Sequence, residues 1–327
     1  MSMNIVYASN NDYAKYLGIS MFSLLDHNQD LNEIIIYILS QEINDENKSK
    51  LSAIANRYRR KVEFIDVSQF KKMITFHFNT SGFHPIVLSR LFLCRYLPAD
   101  IESVLYLDCD IIVNGSIREL DELALGRYYI AAVPELYMPA DKKALIDLNT
   151  DETYYNAGVL LINLGLWRTE NLEVSFMDYY RRMNGQLLYN DQDIVNHCCK
   201  KRILTLNYTY NLSTNLPYFP YYFVKKLQPA YNIRSSALHG EILDNPVIIH
   251  YMGDERPWIA GNFNKYRKQY EYYFKKSPWK DEPFLHGQRV YMFCYHMLNV
   301  ITRICPWFRI LFSKMIGINK FKWLYKK

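Results

Sequence analysis

Two aspartates, Asp108 and Asp110, interrupt an apolar run that covers residues 104–113. If this run is one strand, its side chains alternate between two faces, so both carboxylates project from one face and Cys109 from the other. Neighbouring buried carboxylates repel each other unless a cation or a proton compensates them, and a divalent metal ion is the simplest compensator. The alternative is a strand that ends at Leu107, followed by a solvated turn whose aspartates cap local amides. Because Asp-x-Asp is short and common, these residues alone favour the alternative.

The first fifth of the chain alternates strand-like and helix-like runs. We predict strands over residues 3–8, 34–39 and 62–67, and helices over residues 14–25 and 44–58. This βαβαβ order predicts an α/β protein with a parallel sheet of the nucleotide-binding type. The polar turn after the first strand lies at the sheet end where such proteins bind ligands. No G-x-G-x-x-G follows this strand and the chain has no G-x-x-x-x-G-K-S/T motif, which disfavours dinucleotide-binding and P-loop proteins.

Polar residues also end or open several later apolar runs. A predicted helix over residues 85–97 carries Arg90 and leads into the Asp108 run. The later elements are predicted strands over residues 128–133, 155–163 and 247–253 and a helix that opens within residues 188–194. The last of these strands carries His250. Because ligands enter an open α/β sheet at strand ends, these clusters are the candidates for its site.

The composition is that of a globular chain with a large core, since half of the residues are apolar and 22% are charged. Lys and Arg number 39 against 33 Asp and Glu, but eight of the cations and none of the acids lie after Leu285. The remainder is close to neutral, which argues against nucleic-acid binding by the body. Six cysteines without paired metal-ligand spacing, and a start without features of a secretion signal, predict a reduced cytoplasmic setting.

The order of four motifs resembles glycosyltransferase family 8, whose bacterial branch includes lipooligosaccharide galactosyl- and glucosyltransferases and whose relatives include the glycogenins. The motifs are residues 108–110, 156–160, 190–193 and 250–258, and the resemblance covers residues 3–279. It implies a GT-A fold, which is an α/β, Rossmann-like mixed sheet with helices on both faces. It also implies a UDP-hexose donor, UDP-galactose or UDP-glucose, and transfer with retention at the anomeric carbon.

The resemblance also implies a Mn²⁺ cofactor, with Mg²⁺ as the alternative, held by Asp108, Asp110 and His250. Carboxylate oxygens suit both ions, and one imidazole favours Mn²⁺ over Mg²⁺. The alternative for His250 is a core histidine that is hydrogen-bonded to backbone. Its position ahead of Gly253 and Arg256 favours the ligand role.

The turn after the first strand matches the family's uridine site, which implies that Ala8, Asn10, Asp12 and Tyr13 bind the nucleoside. Tyr13 could offer a flat face to the uracil ring. Relatives often carry Asp at the position of Asn10. The alternative is a helix-capping turn, which is compatible with nucleotide binding because both roles use the same amides.

The resemblance assigns a larger group of residues to the donor sugar and its phosphates. An arginine such as Arg90 forks onto adjacent oxygens, and a buried Asp191 accepts from two sugar hydroxyls, although these two side chains could instead form a structural ion pair. Arg256 stands where the family commonly has lysine, which keeps a cation for the diphosphate. The implied donor-binding group is Arg90, Asp108, Cys109, Asp110, Asn156, Ala157, Asp191, Gln192, His250, Gly253 and Arg256, and the predicted catalytic residues among them are Gln192, Asp191 and Arg256.

The mechanism is expected to follow from the charge that develops on UDP. The metal ion and Arg256 would stabilise this charge where water is excluded. Gln192 is the family's residue nearest the far face of the sugar, and an amide is a poor nucleophile. We therefore expect attack from the face of the departing phosphate, with a phosphate oxygen taking the acceptor's proton.

We predict a catalytic domain over residues 1–282 and a basic, aromatic, helical tail over residues 283–327. Within the domain, residues 204–239 are rich in Tyr and Phe and form either an acceptor-binding lid or a cap whose rings pack on the body. Residues 137–151 are a second candidate acceptor loop. The longest uncharged stretch of the tail, residues 290–302, is shorter than the roughly 20 residues that cross a bilayer.

The tail is expected to lie on an anionic membrane surface, at the inner face of the cell membrane. From Pro306, helical spacing puts Arg309 and Ser313 on one face. The opposite face carries Trp307, Phe308, Leu311, Phe312 and Met315. The alternative is a helix pair that packs on the body, which explains an apolar face but not eight cations without an acid.

Together these expectations describe a hexosyltransferase that extends a lipopolysaccharide, capsule or other surface glycan, with a glycan or lipid-linked glycan as acceptor. One alternative is a glycogenin-like protein that glucosylates itself, for which the 29 tyrosines offer many acceptors. A second alternative is a nonenzymatic protein that binds a UDP-sugar or a glycan. The presence of all three expected metal ligands disfavours it.

Overall fold

A seven-stranded mixed sheet forms the centre of the molecule, in a computed structural model that describes residues 3–253 and 256–313. The strand order is β3-β2-β1-β4-β7-β6-β8, and a second sheet has the order β5-β10-β9. The strands are β1 Met3–Asn10, β2 Ile34–Gln41, β3 Lys61–Asp66, β4 Ser103–Leu107, β5 Ile111–Val113, β6 Ile130–Pro134, β7 Tyr155–Asn163, β8 Ile203–Thr205, β9 Leu212–Ser213 and β10 Ile248–His250.

Helices cover both faces of the large sheet, which has apolar core clusters on each side. The helices are α1 Ala14–His27, α2 Asp45–Arg57, α3 Leu93–Tyr96, α4 Arg118–Asp121, α5 Ala140–Ala144, α6 Leu164–Thr169, α7 Leu172–Arg182, α8 Asp191–Cys199, α9 Tyr221–Leu227, α10 Ser236–Asp244, α11 Arg267–Lys276 and α12 Arg289–Ile304. Residues 306–313 are also helical. Short 3₁₀ helices occupy Asn11–Tyr13, Phe70–Met73, Pro85–Phe92, Tyr208–Asn211, Leu216–Tyr218 and Pro229–Tyr231.

The parallel half of the sheet, strands β3, β2, β1 and β4, confirms the predicted βαβαβ beginning. Alternate residues of β1 enter opposite cores, with Ile5 and Tyr7 in one and Val6 in the other. A strand that is buried on both faces reads as a continuous apolar run, which is why this part of the fold is visible in the sequence. Beyond β4 the sheet becomes mixed, because β7 runs antiparallel to both β4 and β6.

The run over residues 104–113 is not one strand, and the alternative of a strand that ends at Leu107 is confirmed. β4 ends at Leu107, and β5 begins at Ile111 in the other sheet. The residues between them form a turn that is tied to both sheets, since Asp108 N donates to Gly158 O (2.8 Å) and Asp110 O accepts from Tyr251 N (2.9 Å). Both halves of the run are apolar because each is buried in its own sheet, so the pattern does not show that a strand of a second sheet begins at Ile111.

Three other predicted elements differ in type or extent. The strand predicted over residues 247–253 is limited to β10, Ile248–His250. The helix predicted over residues 85–97 is a 3₁₀ helix at Pro85–Phe92 that continues as α3. The strand predicted over residues 128–133 begins at Ile130, as β6. Arg90 is buried within the 3₁₀ helix, facing the carboxyl end of β4.

The aromatic residues of segment 204–239 mostly pack against the body, as in the cap alternative. Tyr208 stacks on Tyr231 with ring centroids 4.7 Å apart, and its hydroxyl is hydrogen-bonded to His239 Nδ1 (2.9 Å). Phe219 and Phe223 are also buried, whereas Tyr222 is exposed. The segment therefore contributes mainly to the core.

Helix α12 and the helical residues 306–313, here called the C-terminal helix pair, pack on the body along one side. The two faces predicted from Pro306 are separated as expected, but of the two residues on the polar face Ser313 is exposed and Arg309 is not. Arg309 is buried and donates to Asn299 Oδ1 (2.7 Å), while Trp307 and Phe308 remain about half exposed. Met315, which was predicted on the apolar face, lies outside the described residues. Within the part of the chain that the structure describes, every helix is too short or too polar to cross a membrane.

Candidate active site

A cavity of about 260 Å³ opens at the carboxyl ends of β1 and β4, and is called here the sheet-edge cavity. It lies where the sequence predicts a ligand site, because strand ends of this sheet converge there. Eleven of the predicted site residues line it: Ala8, Asn10, Tyr13, Arg90, Asp108, Cys109, Asp110, Ala157, Asp191, Gln192 and Arg256.

Asp108, Asp110 and His250 form a compact group next to this cavity, called here the Asp-Asp-His cluster. One ligand atom from each residue lies within 4.8 Å of the others. His250 Nε2 is 3.2 Å from Asp110 Oδ1 and 3.9 Å from Asp108 Oδ2. The turn after β4 and the end of β10 supply these side chains, which explains how they converge although the run is not one strand.

The orientation of His250 is fixed by a chain of hydrogen bonds that begins at a backbone amide. Gly158 N–H donates to Asn156 Oδ1 (2.8 Å), which also accepts from Asn211 Nδ2 (2.7 Å). Asn211 Oδ1 is then left to accept from His250 Nδ1–H (2.9 Å). Because Nδ1 is the donor in this network, the Nε2 atom that faces the carboxylates carries either a second proton or a lone pair directed at a cation.

The charges of the cluster shift the pKa values of its members. Burial acts to raise the pKa of Asp110, but the charge and hydrogen bond of His250 outweigh it, and the pKa lies below its usual range. Burial acts to lower the pKa of His250, but the charge and hydrogen bond of Asp110 raise it overall. The cluster thus favours positive charge between its oxygens and Nε2, which a proton or a metal ion supplies.

Arg90 connects the cluster to helix α8. Its Nη2 is 2.8 Å from Asp108 Oδ1, its Nε is 3.1 Å from Asp191 Oδ2, and its Nη1 donates to Ala157 O (2.6 Å). The guanidinium also lies 4.0 Å from the centroid of the Tyr106 ring. Burial raises the pKa of Asp191 to about 7, although Arg90 opposes the shift. The predicted ion pair between Arg90 and Asp191 is therefore present, and Asp108 shares the arginine.

Gln192 is held by a second network. Its Oε1 accepts from Ala157 N (2.9 Å), and its Nε2 donates to Tyr154 Oη (3.1 Å) and approaches Glu135 Oε1 (3.5 Å). Tyr154 Oη donates in turn to Asp193 Oδ1 (2.6 Å), a carboxyl whose pKa burial raises to about 6. The amide of Gln192 is thus fixed at the cavity wall with both of its ends engaged.

The turn after β1 serves as a helix cap and also lines the cavity. Asn10 Oδ1 accepts from Tyr13 N (3.1 Å), which caps the short 3₁₀ helix, and Tyr13 Oη accepts from Arg256 Nη1 (2.7 Å). Ala8 O accepts a bond from Cys109 Sγ (3.3 Å). The turn and Arg256 therefore meet across the cavity although 243 residues separate Tyr13 from Arg256.

Four of the predicted site residues lie away from the lining of the sheet-edge cavity. Asp12 is exposed, Asn156 and His250 are buried behind the lining, and Gly253 lines a neighbouring cavity. Seven further residues line the cavity and were not predicted, namely Ser9, Phe83, His84, Ile86, Val87, Tyr106 and Tyr189. Ser9 and Tyr189 adjoin the polar motifs, which are the signal that could have identified them.

Glu135 and Asn211 are further omissions, and both act behind the cavity wall. Glu135 Oε1 accepts from Asn156 Nδ2 (2.7 Å), and Asn211 orients His250. Glu135 directly follows β6, a position where ligand-site residues are expected in such sheets. Asn211 lies in an aromatic segment without a motif and has no comparable signal.

Comparison with known proteins places the chain in a family. The model of "Glycosyl transferase family 8" matches residues 4–261. A candidate glycosyltransferase of Haemophilus influenzae is 32% identical over 219 residues, which are 65% of this chain and 64% of that protein. The lipopolysaccharide 1,2-glucosyltransferase of Escherichia coli is 25% identical over 86% of this chain and 80% of its own length. The lipopolysaccharide 1,3-galactosyltransferase of Salmonella typhimurium is 24% identical over 90% of this chain and 86% of its own length.

The solved structures agree with this grouping. The galactosyltransferase LgtC, crystallised with donor and acceptor sugar analogues, is 26% identical, with a TM-score of 0.71 over 84% of this chain and 96% of its own. The fold is thus the GT-A fold that the sequence motifs imply. On the family match and the shared fold, this chain belongs to glycosyltransferase family 8.

Proposed function

We propose that the protein is a retaining hexosyltransferase that moves galactose or glucose from a UDP-sugar to a glycan or lipid-linked glycan during synthesis of a bacterial surface glycan such as lipopolysaccharide or capsule. The observation that carries this proposal is the Asp-Asp-His cluster beside a cavity that also contains Arg90, Asp191 and Arg256. The names of the relatives, two lipopolysaccharide hexosyltransferases, support the class of acceptor.

The cluster fits a divalent metal ion by the chemistry of its donors. Two carboxylates and one imidazole nitrogen suit Mn²⁺, with Mg²⁺ as the alternative, and Asn211 fixes the imidazole so that Nε2 faces the carboxylates. When bound there, the ion would supply positive charge to the diphosphate of the donor.

The remaining residues of the cavity are assigned to the donor by position. Ala8, Asn10, Tyr13 and the nearby Asp12 are assigned to the uridine. Arg256 donates to Tyr13 and is placed to meet a diphosphate beside the base. A buried Asp191, flanked by Arg90, can accept from sugar hydroxyls. The other side chains and amides assigned to the donor are Cys109, Asn156, Ala157, Gln192 and Gly253.

Retention is proposed to occur by attack from the face of the departing phosphate. Gln192 has both amide ends engaged, so it orients the reaction site and offers no free nucleophile. In this reaction the bond from the anomeric carbon to the phosphate oxygen breaks, and the acceptor oxygen forms the new bond. The acceptor's proton passes to a phosphate oxygen of UDP, and Arg256 stabilises the charge that develops there.

The C-terminal helix pair is proposed to hold the enzyme on the inner face of the cell membrane. Its outer side exposes Phe293 and Ile304 by 66% and 80%, together with Trp307 and Phe308. The basic residues after Leu285 other than the buried Arg309 add attraction to anionic lipid, about 1 kcal/mol for each cation near the surface. We assign residues 1–282 to catalysis and the tail, residues 283–327, to this attachment.

Release of UDP without an acceptor tests the proposal, because slow hydrolysis of the donor reports donor choice alone. A panel of UDP-sugars with Mn²⁺ should give release from UDP-galactose or UDP-glucose and little from other donors. The mass of the protein is followed in the same reactions. A gain in multiples of one hexose would identify self-glycosylation, and no release with any donor or acceptor would leave a binding protein.

A further inference from the structure

A second cavity, of about 480 Å³, adjoins the sheet-edge cavity and is called here the C-terminal cavity. Tyr189 lines both, so the two spaces meet beside helix α8. One wall is the segment that carries Tyr137 and Lys142, and the other is the C-terminal helix pair. A molecule in the C-terminal cavity would therefore reach the place where the donor sugar is proposed to lie.

The lining of the C-terminal cavity suits a sugar. Four tyrosines contribute to it, Tyr137 and Tyr189 on one side and Tyr291 and Tyr295 on the helix pair. Aromatic rings offer flat apolar faces to the C–H groups of a pyranose, and tyrosine hydroxyls add polar contacts at their edges. A concave site lined mainly by apolar and aromatic side chains, with a few polar groups, is the usual form of a small-ligand site.

The lining also contains a buried cation whose partners among the described residues are all neutral. Arg309 donates to Asn299 Oδ1 (2.7 Å), Tyr295 Oη (2.8 Å) and Asn215 Oδ1 (3.2 Å). Among the described residues, no carboxylate oxygen lies within 4.0 Å of its guanidinium. Burial of a guanidinium without an anion is unfavourable, since neutral oxygens replace only part of the lost hydration. An anion in the cavity would compensate the charge of the Arg309 guanidinium.

Lys142 adds a second cation from the opposite wall. Its Nζ lies 5.9 Å from the centroid of the Tyr189 ring, and in the described part of the chain it makes no ion pair within 4.0 Å. Burial lowers its pKa, although the charges of Asp141 and Asp193 act in the other direction. A bound anion would favour the charged ammonium of Lys142. Each wall of the C-terminal cavity therefore offers a cation that an anionic ligand would stabilise.

We propose that the C-terminal cavity is the acceptor site and that it selects an acceptor sugar with an anionic group, a phosphate or a carboxylate, through Arg309 and Lys142. This inference rests on the proposed function, because it names the acceptor class of that reaction. It also gives the C-terminal helix pair a role in specificity besides attachment.

The experiment compares transfer to a neutral acceptor with transfer to two anionic acceptors derived from it. The neutral acceptor is an octyl disaccharide glycoside. One anionic acceptor has a phosphate between the same sugar and the octyl chain, and the other has a uronic acid in place of one neutral sugar. These two arms separate a phosphate at the lipid side from a carboxylate within the glycan. We expect kcat/KM at least about tenfold higher for one of the anionic acceptors, the effect of one charged hydrogen bond.

The variants test whether the two cations cause that preference. Arg309→Gln and Lys142→Gln should each reduce the ratio of kcat/KM for the anionic to the neutral acceptor, while Arg309→Lys should restore part of it. Arg303→Gln is the matched control, because Arg303 lies on α12 beside the Tyr218 ring and does not line the cavity. If Arg309→Gln weakens the folding of the helix pair, as a circular-dichroism melt would show, Lys142→Gln decides.

The outcomes separate this inference from the proposed function. If the wild-type enzyme releases no UDP from any UDP-hexose, the proposed function fails and the inference fails with it. If it releases UDP but transfers equally well to neutral and anionic acceptors, only the inference fails. A preference for anionic acceptors that survives both glutamine substitutions would also overturn the assignment of Arg309 and Lys142.

Discussion

The sheet-edge cavity and the C-terminal cavity lie side by side, but their buried cations are balanced in different ways. In the sheet-edge cavity, Arg90 lies between Asp108 and Asp191, and His250 faces Asp110. In the C-terminal cavity, Arg309 has only neutral oxygens as described partners. Charges that have partners of opposite sign within the chain can change partners when a ligand binds. A buried cation with only neutral described partners is instead stabilised by an anionic ligand. The difference suggests a site that organises a metal and a nucleotide next to one that selects an anion.

The largest effect is expected from a substitution that breaks the charge balance of the sheet-edge cavity. Asp110→Asn keeps the size of the side chain but removes one carboxylate of the Asp-Asp-His cluster. We expect Mn²⁺-dependent release of UDP to fall by about a thousandfold, because an amide oxygen binds a divalent ion far more weakly. Asp108→Asn should act in the same direction. The measurement is the initial rate of UDP release against Mn²⁺ concentration.

The control for these variants is Asp178→Asn, which makes the same chemical change at an exposed site on α7. It should leave both the rate and its Mn²⁺ dependence unchanged. If the unmodified enzyme keeps near wild-type activity in EDTA, the proposed reaction does not require a metal ion.

A somewhat smaller effect is expected at Arg256, which meets the turn after β1 across the cavity. Arg256→Ala should lower kcat by about 10²- to 10³-fold, since it removes a cation from the charge that develops on the leaving diphosphate. Arg256→Lys should retain much of the activity, because a point charge still reaches phosphate oxygens. Tyr13→Phe removes the hydrogen-bond partner but keeps the cation, and serves as control. Equal and mild losses in both Arg256 variants would place this side chain away from the diphosphate.

Gly158 offers a test of how strictly His250 must be positioned. A Cβ at this glycine would lie 2.2 Å from His250 Cε1 and 2.7 Å from Nδ1, closer than packed atoms approach. Gly158→Ala should therefore displace the imidazole and weaken the affinity for Mn²⁺ by about 10- to 100-fold, as other losses of ligand orientation do. The measurement is the Mn²⁺ concentration at half-maximal UDP release.

Gly240→Ala is the matched control for Gly158→Ala. Its Cβ would meet no atom within 4 Å, and it lies in α10, where alanine favours the helix by about 1 kcal/mol. An unchanged Mn²⁺ dependence in Gly158→Ala would show that His250 is not a metal ligand.

The sequence predicts the sheet-edge cavity well because its residues lie in short motifs at strand ends. Residues that are adjacent in the chain also lie together in space in three of these motifs, namely the turn after β1, the Asp108 run and the start of α8. The end of β4 at Leu107 was predicted as an alternative, but the second strand that begins at Ile111 was not, since the residues on both sides of the turn are equally apolar. Asn211 could not be predicted because it acts on another side chain from a distant segment, whereas Glu135 was missed although it directly follows β6.

The C-terminal helix pair was less predictable for a related reason. Helical spacing separates an apolar face from the face of Arg309, but it does not say which face is buried. That is decided by Asn215 and Tyr295, which receive the guanidinium, and Asn215 lies 94 residues away in the chain. Trp307 and Phe308, on the face that was predicted to meet the membrane, are about half exposed.

The smallest expected effect concerns this exposed side and would sharpen the contrast between the two roles of the helix pair. Phe293 and Ile304 face solvent, and neither lines a cavity described above. The double variant Phe293→Ser and Ile304→Ser should reduce binding to vesicles that contain phosphatidylglycerol by about tenfold, because two apolar side chains no longer enter the lipid interface. Release of UDP in solution should stay the same. Val174→Ser, at an exposed position of α7, is the control.

Removal of the chain after Glu282 should abolish the salt-sensitive part of this vesicle binding, since the eight cations are lost with it. If the truncated protein still pellets with such vesicles as the full chain does, the helix pair is a structural element and not a membrane anchor.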